Sequence, residues 1–188
     1  MKRIYFIRHA PTVYNLNGTM TFGYNDVPIL DITEKEVRKW HTKVGKFLPN
    51  EAFRLYVSPA YSCLQTAEKL FPDIDALKMS EAENFDCSHL FDKKFWEISQ
   101  IEFETLVSIS SFDMARRTEE FFKICELSSS KNIVVIGHGM MGKYLWHYMR
   151  GNKTISTYDI INGTCFKFFP LDMLTINLTL DQVNVCRY

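Results

Sequence analysis

Two short runs of β-branched and aromatic residues each stop at a histidine, and that pairing constrains the fold more than any other feature. Residues 2–7 lead into Arg8 and His9, and residues 132–136 lead into Gly137, His138 and Gly139. Apolar runs this short and continuous predict strands buried on both faces. Helical periodicities fill much of the chain between them. Alternation of strands and helices predicts an α/β layered sheet, parallel in its centre. Parallel strands bring their carboxyl ends to one edge, which is where such sheets bind ligands. His9 and His138 both stand there, so the two imidazoles are expected to converge.

The remaining elements are read in the same way. Thr33 and Glu36 form a capping box that opens a helix. Val37, Trp40, Val44, Phe47 and Leu48 follow at helical spacing as its core stripe, and Pro49 closes it. Residues 55–57 read as a second strand and residues 58–70 as a helix. Residues 8–32 and 72–97 read as irregular, 98–127 as one or two helices, and 140–149 as a helix. Near the end, residues 165–169, 174–180 and 183–186 alternate as strands. No repeat or linker divides the 188 residues, which are expected to form a single domain over residues 1–188.

Composition narrows the partners. A formal net charge of +0 argues against nucleic acid, whose phosphate backbone selects basic proteins. No apolar run is long enough to span a membrane, and Arg8 interrupts the apolar start too early for a signal peptide. The five cysteines are odd in number and form no close pair, as expected of reduced thiols in a cytoplasmic protein.

Arg8, His9, Thr12 and Asn15 place a guanidinium, an imidazole, a hydroxyl and an amide on one loop, all able to donate to an anion. A helix starting after His138 would add unpaired N–H groups. Arginine with two histidines and no acidic ligands favours phosphate over a metal ion. An imidazole attacks phosphorus as a nucleophile when a neighbouring cation neutralises the transferred group.

These residues also carry a family resemblance. Arg8-His9-Ala10-Pro11-Thr12-Val13-Tyr14-Asn15 resembles the R-H-G-x-T-x-x-N signature of the histidine phosphatase (phosphoglycerate mutase-like) superfamily. Gly23-Tyr24-Asn25-Asp26-Val27-Pro28-Ile29 resembles its G-x-x-D-x-P-L segment. Ser58-Pro59 with Gln65-Thr66-Ala67 resembles its S-P-L-x-R-A-x-Q-T-A helix, and Val134-Val135-Ile136-Gly137-His138-Gly139 its V-V-x-H-G strand end.

The resemblance implies a three-layer α/β sandwich with a mostly parallel central sheet, and a phosphatase that uses no cofactor or metal. His9 would be the nucleophile and become a phosphohistidine. Arg8, Asn15 and the Gly139 N–H would hold the phosphoryl oxygens, and His138 would stabilise their charge. Thr12, Gly23 and Tyr24 are the candidate substrate contacts, and the expected partner is a small phosphorylated molecule. The proton donor falls to Glu81, with Glu83 as its alternate.

Two departures stand out. Ala10 replaces a glycine, and the Arg8-to-Thr12 stretch is similar to α-ribazole phosphatases, which make the same change. Ser62 occupies the phosphate-binding position that normally holds a second arginine. Either another cation reaches the site, with Arg116, Arg117 and Lys143 as candidates, or the protein binds a phosphorylated ligand with weakened or lost turnover. A mutase that returns the phosphoryl group to another hydroxyl is the remaining alternative.

Overall fold

The computed structural model describes residues 2–17, 27–86, 90, 93–161 and 167–188. Six strands, β1 (Arg3–Arg8), β2 (Arg54–Val57), β3 (Leu77–Lys78), β4 (Asn132–Gly137), β5 (Met173–Asn177) and β6 (Gln182–Cys186), form one sheet in the order β3-β2-β4-β1-β5-β6. The first four run parallel, while β5 and β6 are antiparallel additions beside β1. The helices are α1 (Val13–Asn17), α2 (Glu34–Lys43), α3 (Tyr61–Leu70), α4 (Gln100–Leu127), α5 (Gly139–Met149) and α6 (Thr157–Ile161).

Strand alternation divides the core between the two faces of the sheet. Ile4, Phe6, Ile133 and Val135 pack against α4, α5 and α6 through Leu106, Met114, Phe121, Met141, Tyr144 and Ile160. Tyr5, Ile7, Leu55, Val57, Val134 and Ile136 face Trp40 and Val44 at the end of α2, and Cys63, Ala67 and Leu70 of α3. The architecture is therefore the three-layer α/β sandwich with a mostly parallel sheet. β4 is buried along its whole length, which explains why it reads as an unbroken apolar run.

The structure also corrects several expectations. Phe47 is half exposed in a 3₁₀ turn at Gly45–Phe47, so it drops out of the core stripe, whereas Val37, Trp40, Val44 and Leu48 pack on the core as expected. Within the expectation of one or two helices, residues 98–127 hold a single one, opened by Ser99 and Glu102 in a capping box. Of the strand expected at 165–169, residues 165 and 166 fall outside the described residues, and 167–169 are not strand. These three lead instead into a turn that lines the candidate site. The 8–32 and 72–97 stretches contain α1 and β3, and α6 was not foreseen; all three are too short for periodicity to register.

One backbone position is conspicuous. Leu171 is buried yet adopts φ 64°, a left-handed conformation that costs a leucine about 1–2 kcal/mol. Two bonds hold it: its N–H donates to Arg8 O at 3.1 Å, and its C=O accepts the Trp40 indole N–H at 2.9 Å.

Candidate active site

Register alone brings the two histidines together. β1 and β4 are neighbours with Arg8 opposite Gly137, so His9 and His138 each follow a paired position. The His9 N–H donates to Gly137 O at 2.9 Å, and the two rings lie 5.2 Å apart between centroids. They open into a cavity of about 330 Å³, also lined by Arg8, Asn15, Asn84, Gly139, Met140, Lys143, Lys167, Phe168 and Phe169. That volume accommodates a small metabolite.

The tautomer of His9 follows from its partner. Nδ1 lies 2.7 Å from Ala10 O, and a carbonyl can only accept. Nδ1 therefore carries the proton, and Nε2 holds the lone pair. Burial, assisted by the Arg8 charge, lowers the His9 pKa to about 4, so the ring is neutral near pH 7. The Ala10 N–H donates to Thr66 Oγ1 at 2.9 Å, and Gln65 Oε1 accepts from the Ile29 N–H at 3.0 Å. The Gln-Thr pair of α3 thus pins both loops.

Arg8 is partly buried, which lowers its pKa to about 10 against the opposing field of Asp172, and it stays charged at neutral pH. Its Nη1 donates to Phe168 O, while its buried Nε has no partner among the described residues. An unpaired buried donor on a residue that lines a cavity is a group left unsatisfied by the protein alone. Asn84 Oδ1, an acceptor, is the other buried polar atom without a partner among the described residues, on a residue that lines the same cavity.

His138 is the N-cap residue of α5 and lies in extended backbone. Its Nε2 stands 3.2 Å from Ser58 Oγ and 3.6 Å from Cys63 Sγ. Burial, then the charges of His9, Arg8 and Arg117, keeps its pKa well below the usual histidine value. The flanking glycines are needed for close approach, since among the described residues Gly151 is the glycine with positive φ. A Cβ on Gly137 would sit 2.6 Å from the Phe6 ring and 2.8 Å from Ala82 O; one on Gly139 would sit 3.0 Å from Arg8 Nε. The first N–H groups of α5 start at this point and reinforce the positive field.

The other candidates are distributed unevenly. Asn15 lines the cavity, its Oδ1 accepting from the Thr12 N–H at 3.1 Å. Thr12 itself is buried and returns the bond through Oγ1 at 3.3 Å, acting on the loop and not on the cavity lining. Gly23 and Tyr24 lie outside the described residues. Ser62 is buried and does not line the cavity. Of the three candidate substitute cations, Lys143 lines it. Arg116 pairs with Asp113 and Glu120, and Arg117 pairs with Asp113 and donates to Asn84 O at 3.0 Å.

Glu81 and Glu83 do not line this cavity; they line a second, polar one with Ser80, Arg116, Arg117 and Glu120. Partial burial raises the Glu83 carboxyl pKa against the pull of Arg117, and its charge is felt at Cys63 beside His138. Among the described residues no group of three or more His, Cys, Asp or Glu is placed to hold a metal ion, and no helix is long and apolar enough to cross a membrane.

Sequence reading missed Lys167, Phe168, Phe169 and Asn84. Asn84 lies beside the candidate glutamates, which carry the stronger signal, and the other three lie in a stretch whose alternation reads as a strand, which hides the turn. The buried Asp172 was a faint signal, since its carboxylate accepts the Phe169 N–H at 2.9 Å and pairs with Arg187 to shape that turn.

A family model described as histidine phosphatase superfamily (branch 1) matches residues 4–165. Solved structures agree in fold. Phosphoserine phosphatase from Entamoeba histolytica, in complex with 3-phosphoglyceric acid, superposes with a TM-score of 0.75 at 18% identity, covering 98% of this chain and 95% of that one. A proposed α-ribazole-5′-P phosphatase from Escherichia coli gives 0.73 at 17% identity over 100% and 96%. YhfR of Bacillus stearothermophilus gives 0.76 at 17% identity over 98% and 95%. Among curated proteins none matches the sequence.

Proposed function

Since the chain belongs to branch 1 of the histidine phosphatase superfamily, we propose that it hydrolyses small phosphomonoesters through a phosphohistidine at His9. The observation that carries this reading is the His9 ring. Its Nδ1–H is committed to Ala10 O, which leaves the Nε2 lone pair for a ligand in the cavity that His9 lines together with Arg8. Nε2 forms a bond to phosphorus as the bond to the leaving oxygen breaks. Arg8, Asn15, Lys143 and the α5 N-terminus offset the charge on the transferred oxygens. Water then attacks the phosphohistidine and releases phosphate.

The proton for the leaving oxygen is assigned to Glu83. Partial burial raises its carboxyl pKa, and it stands near enough to Cys63, beside His138, for its charge to be felt there. Lys143 takes over the cationic role vacated at Ser62. The fold neighbours named as phosphatases support the reaction class, and the substrates in their names stay with them.

The test is a phosphomonoester panel assayed with chelator present. Turnover is expected to survive chelation, and Glu83→Gln is expected to lower kcat on poor leaving groups by about 10²–10³-fold, with Glu81→Gln close to wild type. The reverse order would return the role to Glu81. Ser62 favours a second reading, binding without turnover; phosphate binding by calorimetry with no hydrolysis across the panel would establish it.

The buried histidines also set a pH dependence of stability. An unfolded His9 takes up its proton near pH 6.5, but the folded one resists until about pH 4. Between those values the unfolded chain binds more protons, so its contribution is complete above pH 6.5 and is lost as pH falls toward 4. The cost is on the order of 3 kcal/mol for this ring. Urea unfolding should show lower stability at pH 5 than at pH 7, and equal stabilities would contradict the burial of a neutral His9.

A further inference from the structure

Arg116 and Arg117 are neighbours on α4, yet they are held differently. Arg116 is half exposed, and Asp113 and Glu120 both pair with it. The Arg117 side chain is 18% exposed and engaged through two nitrogens: Nε pairs with Asp113 Oδ2 at 2.8 Å, and Nη1 donates to the Asn84 carbonyl at 3.0 Å. A planar guanidinium gripped at both positions is a rigid mount, unlike the single flexible amine of a lysine.

The segment in that grip carries Glu83. Residues 80–82 form a 3₁₀ turn, closed by the Glu83 N–H donating to Ser80 O at 3.0 Å. On one side of Glu83 the Ala82 carbonyl stands against the end of β4, where a Cβ on Gly137 would come within 2.8 Å of it. On the other side Asn84 gives its carbonyl to Arg117 and also lines the cavity of the two histidines. Glu83 is thus held between two backbone anchors, one next to His138 and one on α4. The charged groups around it in the polar cavity are Glu81, Arg116, Arg117 and Glu120, and Cys63 feels its charge beside His138. Arg116 is engaged by its own two carboxylates. The Arg117 charge favours an ionised Glu83, against burial and Glu81, and it also opposes protonation of His138.

Taking Glu83 as the proton donor of the phosphatase reading, on which this rests, we propose that Arg117 is a positioning residue, whose bond to Asn84 O fixes the Glu83 carboxyl beside the strand end that carries His138. Arg117 does not line the phosphoryl cavity. It therefore acts one step away from the cation missing at Ser62, on the group that protonates the leaving oxygen. Proton transfer depends steeply on distance, so a loosened segment costs rate only where the leaving group needs a proton.

The experiment compares kcat/KM on p-nitrophenyl phosphate, whose leaving group departs without a proton, and on glycerol phosphate, whose leaving group needs one. Arg117→Met is expected to lose about 10–10²-fold on the alkyl ester and under about threefold on the nitrophenyl ester. With the charge gone, Glu83 keeps its proton to higher pH, so the alkaline limb of the pH profile should move up by about half a unit. Arg117→Lys restores the charge without the two-nitrogen grip. It should return the limb to its wild-type position and recover part of the alkyl-ester rate. If Arg117→Met does not fold, a loss confined to the alkyl ester in Arg117→Lys sustains the proposal and an equal loss on both esters overturns it. Equal losses in Arg117→Met, or none, alongside a Glu83→Gln variant impaired on the alkyl ester alone, would overturn the proposal and leave Glu83 as the donor. A Glu83→Gln variant without that selectivity removes the donor assignment, and the proposal falls with it. Should neither ester be hydrolysed, the phosphatase reading fails by itself, and carboxyl-carbon NMR of Glu83 decides this one. A titration midpoint raised in Arg117→Met and restored in Arg117→Lys sustains it, and one unchanged in Arg117→Met overturns it.

Discussion

His9→Ala is expected to lower kcat/KM by roughly 10⁴-fold or more on every substrate the wild type hydrolyses, because no second group takes over a lost nucleophile. Among the described residues of the cavity no other group matches it: His138 has its Nε2 set against Ser58 and Cys63, and the nearby Cys63 thiol is held as the protonated form, its pKa pushed up to about 12 by burial. The variant should fold. It removes a buried imidazole that resists protonation, so its stability should fall less than the wild type's as pH drops from 6.5 toward 4. Circular dichroism at neutral pH, measured with the kinetics, separates loss of chemistry from loss of structure. Residual activity within tenfold of wild type would remove His9 from the mechanism.

Trp40→Ala carries the largest expected stability effect, about 3–5 kcal/mol. Trp40 is fully buried against Phe71, with ring centroids 6.0 Å apart. The truncation also strips the Leu171 carbonyl of its donor in a buried position. For a chain of this size the melting temperature should fall by roughly 10 °C. Trp40→Phe retains most of the volume and loses the indole N–H, so its smaller deficit, about 1–3 kcal/mol, isolates the bond that steadies Leu171. The two variants should reach function too, because Leu171 ties the turn bearing Lys167–Phe169 to Arg8 O. A Trp40→Phe protein with wild-type stability would show that the left-handed Leu171 needs no such support.

The helices and central strands were legible where a local signal was strong. β4 is a run of apolar residues buried on both faces, and α2 and α4 begin at capping boxes that leave a pattern in sequence. His9 and His138 could be placed because parallel strands leave few positions for a residue at a strand end. What stayed hidden depends on contacts between distant segments. Asn84 and Lys167 reach the cavity from irregular stretches far from both histidines in sequence. Gly137 and Gly139 could be placed at a strand end, but the space beside them is taken by Phe6 and Arg8, a demand visible only after β1 and β4 pair. The Ser62 problem was legible and its candidate remedy was not unique in sequence. Of three candidate cations, the placement of Lys143 one helical turn after Gly139 brings that one to the cavity lining.

The central claim is covalent transfer to His9, and trapping tests it most directly. Wild-type protein mixed with a rapidly hydrolysed phosphomonoester and quenched in base preserves phosphohistidine, which acid destroys. Peptide mass spectrometry should find a base-stable, acid-labile phosphoryl group on the peptide carrying His9, absent from His9→Ala. Steady turnover with no phosphoryl group on that peptide, or with one on another residue, would contradict the account.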